Sequence, residues 1–184
     1  MRYQKQTVLA AALLTAPFLW GPVRAGAAGG TSPARQPEPV RVSLPEARRM
    51  VRLMDDIYRI GVLTTHGMYV REPGVPAAIT WGKQVLAQVN AQGWPQARIF
   101  AVSDRPLNPD NNPRDAFERD AIQAFKAGKS RLEQQEAGVL HYASEIRIAD
   151  KSCLTCHVRN KEGDLLGGVS FRAVLTAPAA PGKR

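Results

Sequence analysis

The stretch Val139–His157, VLHYASEIRIADKSCLTCH, joins a predicted β-strand to a cysteine–histidine motif. Apolar and polar residues alternate over its first ten positions, which is typical of a strand with one buried face. Its last five residues have the spacing C-x-x-C-H, by which c-type haem is attached to proteins. The thiols of Cys153 and Cys156 can each form a thioether with one haem vinyl group. The imidazole of His157 can then bind the iron as the proximal ligand.

Three other interpretations of this motif explain less of it. Cys153 and Cys156 are the only two cysteines in the 184 residues, and a structural disulfide between them would not need the histidine. A thioredoxin-like redox pair would need a βαβ context, which the surrounding pattern does not predict. A zinc site would need a fourth ligand besides the two cysteines and His157, and no second cluster of cysteine or histidine supplies one. We therefore predict one covalently bound haem c.

Two helices are predicted upstream of the motif. Ser43 and Glu46 are spaced as a capping box, which indicates a helix start. From there, apolar residues recur at three- and four-residue steps to about Val70, so this helix is long and has one apolar side. A second helix should begin near Pro76 and end at Gly93.

The later part of the chain predicts strands and one further helix. The predicted elements are a strand at 97–102, a proline-rich loop without regular structure at 104–113, a helix capped by Asn112 that ends at Gly128, a hairpin of strands 131–136 and 139–148, and a last strand at 165–175. Because helices come first and hairpin-linked strands later, the predicted fold class is α+β, with helices packed against an antiparallel sheet.

Residues 1–28 are predicted to be a signal peptide. Arg2 and Lys5 precede 13 uncharged, mainly apolar residues at 8–20, a length that suits a signal peptide and is too short to span a bilayer. Small residues at 25–27 offer cleavage sites. An uncleaved membrane anchor is the alternative, whereas a lipoprotein anchor is excluded because no cysteine lies near the cleavage site. Export agrees with the haem motif, so we expect a periplasmic protein with no stable membrane span after cleavage.

Composition divides the remainder into three parts. Residues 29–42 are rich in Gly, Pro and Ala and are predicted to be a flexible linker, 43–176 form one domain, and 177–184 form a disordered tail. The formal net charge is +9, and removal of Arg2, Lys5 and Arg24 would leave +6. The basic residues are scattered without aromatic residues between them, so no nucleic-acid partner is expected. Attraction to an acidic redox partner is the alternative to a simple solvated surface.

Five segments, in their order along the chain, carry a family resemblance. They are Gly93-Trp94, RPLNPDNNPRDAFERDAI at 105–122, KAGKS at 126–130, the stretch at 139–157 and GDLLGGVSF at 163–171. Together they resemble a family of bacterial c-haem domains that occur as small exported cytochromes and as extracytoplasmic sensing modules of signalling receptors. The resemblance implies a PAS-like antiparallel β-sheet with a long N-terminal helix and flanking helices, holding one haem c.

The resemblance also implies the roles of Cys153, Cys156 and His157 given above, but it leaves the second iron ligand open. Some relatives use a cysteine from the helical region there, and this chain has no third cysteine. The candidates are His66, Met68, Met54, Met50 and His141. The two earlier methionines fit a helix core, and His141 lies on the polar face of its strand. We predict His66 as the distal ligand, with Met68 as the runner-up. A core histidine hydrogen-bonded to a carbonyl is the alternative for His66.

Function is expected to follow from the iron coordination. Two protein ligands would leave outer-sphere electron transfer as the chemistry of the haem, which describes an exported monohaem c-type cytochrome. The alternative is a haem-based redox or gas sensor that acts through a protein partner. A peroxidase-like enzyme ranks third, because no acid–base residues occur at a recognisable spacing. The partner would be a redox protein or a signalling receptor, and an oligomer is possible.

Overall fold

A five-stranded sheet and three α-helices form the fold in a computed structural model, which describes residues 37–177 apart from 73, 75, 76, 104 and 107. The predicted signal peptide, most of the predicted linker and nearly all of the predicted tail therefore lie outside the described residues. In the part of the chain that the structure describes, no helix is both long and apolar enough to cross a bilayer.

The first helix, α1 (Leu44–Arg71), is the longest element and confirms the predicted long helix. Its capping box is formed, since the backbone N–H of Glu46 donates to Ser43 Oγ and the backbone N–H of Ser43 donates to the Glu46 carboxylate. The second helix, α2 (Ala78–Ala91), matches the second prediction within two residues at each end. A helix of 28 residues is about 42 Å long, so α1 can reach from one end of the sheet to the other.

The sheet is organised around its last strand. The strands are β1 (Arg41–Val42), β2 (Gln96–Ala101), β3 (Arg131–Glu136), β4 (Val139–Arg147) and β5 (Leu165–Leu175). β5 pairs antiparallel with β4 on one edge, and on the other edge with β2 antiparallel and β1 parallel. β3 and β4 form the predicted hairpin, with positive φ at Ala137 and Gly138 as a type I′ turn requires.

Three predictions need correction. The sheet is mixed rather than antiparallel, because Arg41 and Val42, predicted to lie in the flexible linker, pair with the end of β5 as β1. The loop at 104–113 contains a 3₁₀ turn at Pro109–Asn111. The third helix, α3 (Ala116–Lys126), is capped by Asp115 and not by Asn112. Residue 114 stays outside the helix because its backbone N–H donates to the buried carboxylate of Glu118.

Helices cover both faces of the sheet. α1 and α2 pack on one face, where the core residues are Ala47, Val51, Tyr58, Leu86, Ala97, Ile99, Leu140, Tyr142, Val169, Phe171, Ala173 and Leu175. α3 packs on the other face against Phe100 and Ala143. α1 and α2 approach closely at two glycines, since a Cβ on Gly61 would overlap the indole ring of Trp81 and one on Gly82 would press against Tyr58. This close contact holds the two helices as one layer over the sheet.

Candidate functional site

The C-x-x-C-H motif lies in the loop between β4 and β5. A 3₁₀ turn, Lys151–Thr155, leads into it and includes its first three residues. The turn begins where the Asp150 carboxylate accepts a hydrogen bond from the backbone N–H of Ser152 at 2.7 Å. The turn places Cys153 partly buried and leaves Cys156 exposed, and both thiols are unpaired. His157 is exposed, and its backbone N–H donates to the Cys153 carbonyl at 3.1 Å. Backbone hydrogen bonds from Cys156 and His157 to the Cys153 carbonyl therefore close the motif into one tight turn.

The base of this loop is held by hydrogen bonds between its two ends. The N–H of Ile148 donates to the Asp164 carbonyl, and the N–H of Gly163 donates back to the Ile148 carbonyl, each at 3.0 Å. The Arg147 guanidinium donates to the carbonyls of Gly163 and Phe125 at 3.0 and 3.3 Å. This arginine therefore ties the loop to α3 and is already engaged, so it is a poor candidate for binding a haem propionate.

His66, near the C-terminal end of α1, lies against the motif turn. Its Nε2 is 2.7 Å from Ser152 Oγ, although the two residues are 86 positions apart in sequence. A ring nitrogen of His66, a carboxylate oxygen of Asp150 and Sγ of Cys153 all lie within 4.8 Å of one another. The structure thus brings His66 to the cysteine motif.

A buried polar cluster fixes the position of α1 on the sheet. Asp55 is fully buried and accepts hydrogen bonds from Ser144 Oγ at 2.6 Å, Tyr142 OH at 3.4 Å and Arg59 Nε at 3.0 Å. The guanidinium of Arg59 also donates to a β4 carbonyl. Because eleven residues are about three helical turns, Asp55 and His66 lie on the same side of α1. The cluster therefore sets the register that carries His66 to the motif.

Apolar side chains flank His66 on α1. Leu63 and Val70 are three residues before and four residues after it, which places them beside His66 on the helix surface. They are 53 % and 46 % exposed, and Met68 is 40 % exposed. A large, flat, mainly apolar group bound beside His66 would cover these side chains. The surface beside the motif suits such a group.

The other proposed iron ligands lie elsewhere. Met54 packs partly against the core, and Met50 is half-buried. His141 is on the face of β4 that α3 covers, with its ring centroid 5.2 Å from that of Phe117 and with a buried Nδ1 that has no hydrogen-bond partner. Burial, and then the positive charge of Arg172, lower the pKa of His141. His141 therefore lies on the sheet face opposite α1 and away from His66.

The donor set at the motif fits a covalently bound haem. Two thiols at the correct spacing, an adjacent imidazole and a second imidazole from α1 are present together with exposed apolar side chains. His66, Asp150 and Cys153 by themselves also offer the nitrogen, oxygen and sulfur donors that suit Zn²⁺. Thioether formation would remove the Cys153 thiolate from that set, so the two modes of binding exclude each other.

Comparison with known proteins assigns the chain to a family. The fold and the site together describe an α+β domain in which one loop carries a cysteine–histidine motif and lies against a long helix. The model of the Tll0287-like family matches residues 33–170, so the chain belongs to the Tll0287-like family. This confirms the resemblance drawn from the sequence. The crystal structure of the cyanobacterial haem protein Tll0287 is similar in fold, with a TM-score of 0.51 and 20 % sequence identity over 74 % of this chain and 97 % of that one. No protein with a curated description matches the chain.

Sequence reasoning missed three residues of the site, namely Asp55, Asp150 and Ser152. One signal for Asp55 was present, because it is a carboxylate on the apolar side of α1 between Val51 and Tyr58. An Asp two positions before a Ser also favours a local turn of the kind that opens the motif. The contact between Ser152 and His66 has no counterpart in the local sequence.

Proposed function

We propose that this protein is an exported c-type cytochrome with one covalently bound haem, which transfers electrons by an outer-sphere route. The observation that supports the proposal most strongly is the approach of His66 to the C-x-x-C-H turn, because it joins a second imidazole to the motif. Membership in a family whose solved relative is a haem protein adds independent support.

Each residue of the site has a distinct role in this proposal. Cys153 and Cys156 form the two thioethers, and His157 is the proximal iron ligand. His66 is the distal ligand, with Met68 as the runner-up. When bound, the haem supplies reversible one-electron chemistry. The protein holds it at the surface, where Cys156, His157 and the 76 % exposed Val158 leave an approach for a redox partner.

Electron transfer is preferred over enzymatic turnover because the buried carboxylates are already engaged. Asp55 and Glu118 are the buried acidic residues in the described part of the chain, and they are paired with Arg59 and Arg98. A carboxylate held in an ion pair is poorly suited to act as an acid or base toward peroxide. Without Arg2, Lys5 and Arg24 the exported chain would keep a formal net charge of +6, which favours an acidic redox partner.

A haem-based redox or gas sensor acting through a signalling receptor is the second candidate function. It is favoured by one observation, the hydrogen bond between His66 and Ser152, since a distal residue with another partner can be displaced from iron more easily. A closed site would suit an electron carrier, whereas a site that opens would suit a sensor.

The test uses the protein purified from the periplasm of an expressing bacterium. An electron carrier should exchange electrons rapidly and reversibly with small-molecule mediators, consume little peroxide, and bind carbon monoxide only after ligand displacement. Fast, tight carbon monoxide binding would favour the sensor, and saturable, haem-dependent peroxide consumption would favour an enzyme. Recovery of the protein from the cytoplasm alone, with residues 1–28 still attached, would contradict export.

A further inference from the structure

The hydrogen bonds around Ser152 show which group is the donor and which is the acceptor between His66 and Asp150. The hydroxyl of Ser152 donates to Asp150 Oδ1, and the backbone N–H of Ser152 donates to the same oxygen. Both protons of Ser152 that can form hydrogen bonds are therefore directed at Asp150, which accepts them. Because a hydroxyl has one proton and Ser152 gives it to Asp150, its oxygen accepts the proton on His66 Nε2. The result is a chain from imidazole to hydroxyl to carboxylate.

The hydrogen bond of His66 places its imidazole beside Cys153. Thioether sulfurs attach to vinyl groups at the periphery of the macrocycle, whereas the iron is at its centre. His66 is held by Ser152, the neighbour of Cys153, with a ring nitrogen within 4.8 Å of Cys153 Sγ. The hydrogen bond to Ser152 therefore holds the imidazole beside Cys153, one of the two residues that would attach the haem. The Nε2 atom also cannot donate to Ser152 and bind iron at the same time.

We propose that Ser152 and Asp150 compete with the iron for the imidazole of His66, so that distal coordination is reversible and this pair sets how often the distal face opens. The inference rests on the proposed function, because it takes His66 as the distal ligand. Ser152 acts through His66 and is a positioning residue. It regulates access of small ligands to the site.

The alternative is that Ser152 supports ligation, as an outer hydrogen-bond partner does for many metal-bound histidines. In that arrangement His66 would bind iron through Nδ1 while Nε2–H remained on Ser152. The two arrangements predict opposite effects when the hydroxyl is removed. Competition predicts more iron-bound His66, and support predicts less.

The experiment compares Ser152→Ala, Ser152→Thr and Thr155→Ala in the haem-loaded full chain. The low-spin fraction is read from absorption spectra, and the rate of carbon monoxide binding to the reduced protein is measured by rapid mixing. Ser152→Ala removes the hydrogen bond between His66 and the hydroxyl that is bonded to Asp150. The ratio of iron-bound to free His66 should then rise about tenfold, and carbon monoxide binding should slow by about the same factor. Ser152→Thr should retain the parent rate because it keeps a hydroxyl. Thr155→Ala, an exposed change in the same turn, should also retain it.

Faster binding, or an unchanged rate in Ser152→Ala, would overturn the competition. A fourth variant, His66→Ala, distinguishes two outcomes: that Ser152 does not compete with the iron, and that His66 is not an iron ligand. If His66→Ala alters the low-spin spectrum and Ser152→Ala changes nothing, only the competition is wrong. If His66→Ala leaves the spectrum unchanged, the ligand assignment is wrong and the competition falls with it.

Discussion

The hydroxyl of Ser144 on β4 donates a 2.6 Å hydrogen bond to the fully buried carboxylate of Asp55 on α1, 89 residues earlier in the chain. A buried charge is tolerated only when hydrogen bonds and opposite charge replace its lost hydration, and here Ser144, Tyr142 and Arg59 do so. This contact joins the helix that carries His66 to the strand that leads into the motif.

Asp55→Ala should therefore lower the free energy of unfolding by about 3 kcal/mol, since it leaves buried donors without an acceptor. Urea denaturation followed by circular dichroism measures the change. The matched control is Asp56→Ala, which alters the same residue type at the next, exposed position and should change stability by less than about 0.5 kcal/mol. Equal effects of the two substitutions would show that the buried cluster does not anchor α1.

Two glycines of α1 should respond to alanine with opposite signs. A Cβ at Gly61 would overlap the Trp81 ring, so Gly61→Ala should cost about 1–3 kcal/mol of stability through strain at the α1–α2 contact. A Cβ at Gly67 would lie 3.6 Å from its nearest neighbour, the Arg71 guanidinium, so Gly67→Ala should stabilise by up to about 1 kcal/mol through helix propensity. Thermal denaturation of both variants checks the signs. A stabilising Gly61→Ala would contradict the close helix contact.

The stability of the fold should fall on mild acidification because of His141. Burial and Arg172 lower its pKa below the ordinary value of 6.5, while Asp115 and Glu136 act in the opposite direction. Between the folded pKa and 6.5 the unfolded chain binds more protons at this residue than the folded chain does. The free energy of unfolding therefore decreases as the pH falls through that window.

His141→Phe should reduce this decrease, because phenylalanine can keep the contact with Phe117 and does not titrate. Denaturant unfolding at pH 7 and at about pH 5.5 in both proteins gives the comparison. The remaining histidines, His66 and His157, are present in both. Parallel pH profiles for the parent and the variant would exclude His141 as the source of the effect.

Removal of the imidazole proposed as the distal ligand should open the iron. His66→Ala is expected to convert a low-spin ferric spectrum to a high-spin one and to allow rapid carbon monoxide binding, because the iron loses its sixth ligand. His141→Ala, which alters an imidazole on the opposite face of the sheet, serves as the control and should leave the spectrum unchanged. If His66→Ala stays low-spin while Met68→Ala becomes high-spin, Met68 is the ligand.

Local patterns in the sequence were sufficient to predict the three α-helices and the strands β2 to β5. The capping box at Ser43 located the start of α1, and alternation with a turn at Ala137 and Gly138 located the β3–β4 hairpin. These features depend on residues close together in the chain, so their physical causes are visible in a short window.

Features that depend on distant residues were missed. β1 has two residues and is a strand only because the end of β5 lies beside it, so neither its composition nor its length could predict it. The N-cap of α3 is Asp115 and not the predicted Asn112, because the N–H of Arg114 donates to Glu118. An ion pair with Arg98 on β2 holds the Glu118 carboxylate in place. The contact of His66 with Ser152 likewise required the full fold. In each case a long-range partner overrode the local preference.

The central proposal, a haem bound through Cys153 and Cys156, is tested most directly by the intact mass of the exported protein after denaturation and acid–acetone extraction. The parent chain should retain the mass of one haem and should remain haem-positive after denaturing electrophoresis. Cys153→Ser and Cys156→Ser should each weaken attachment, and the double variant should lose it, because the thioether bonds are then absent. Complete extraction of haem from the parent protein, or a purified protein that contains one zinc ion in place of haem, would contradict the proposal.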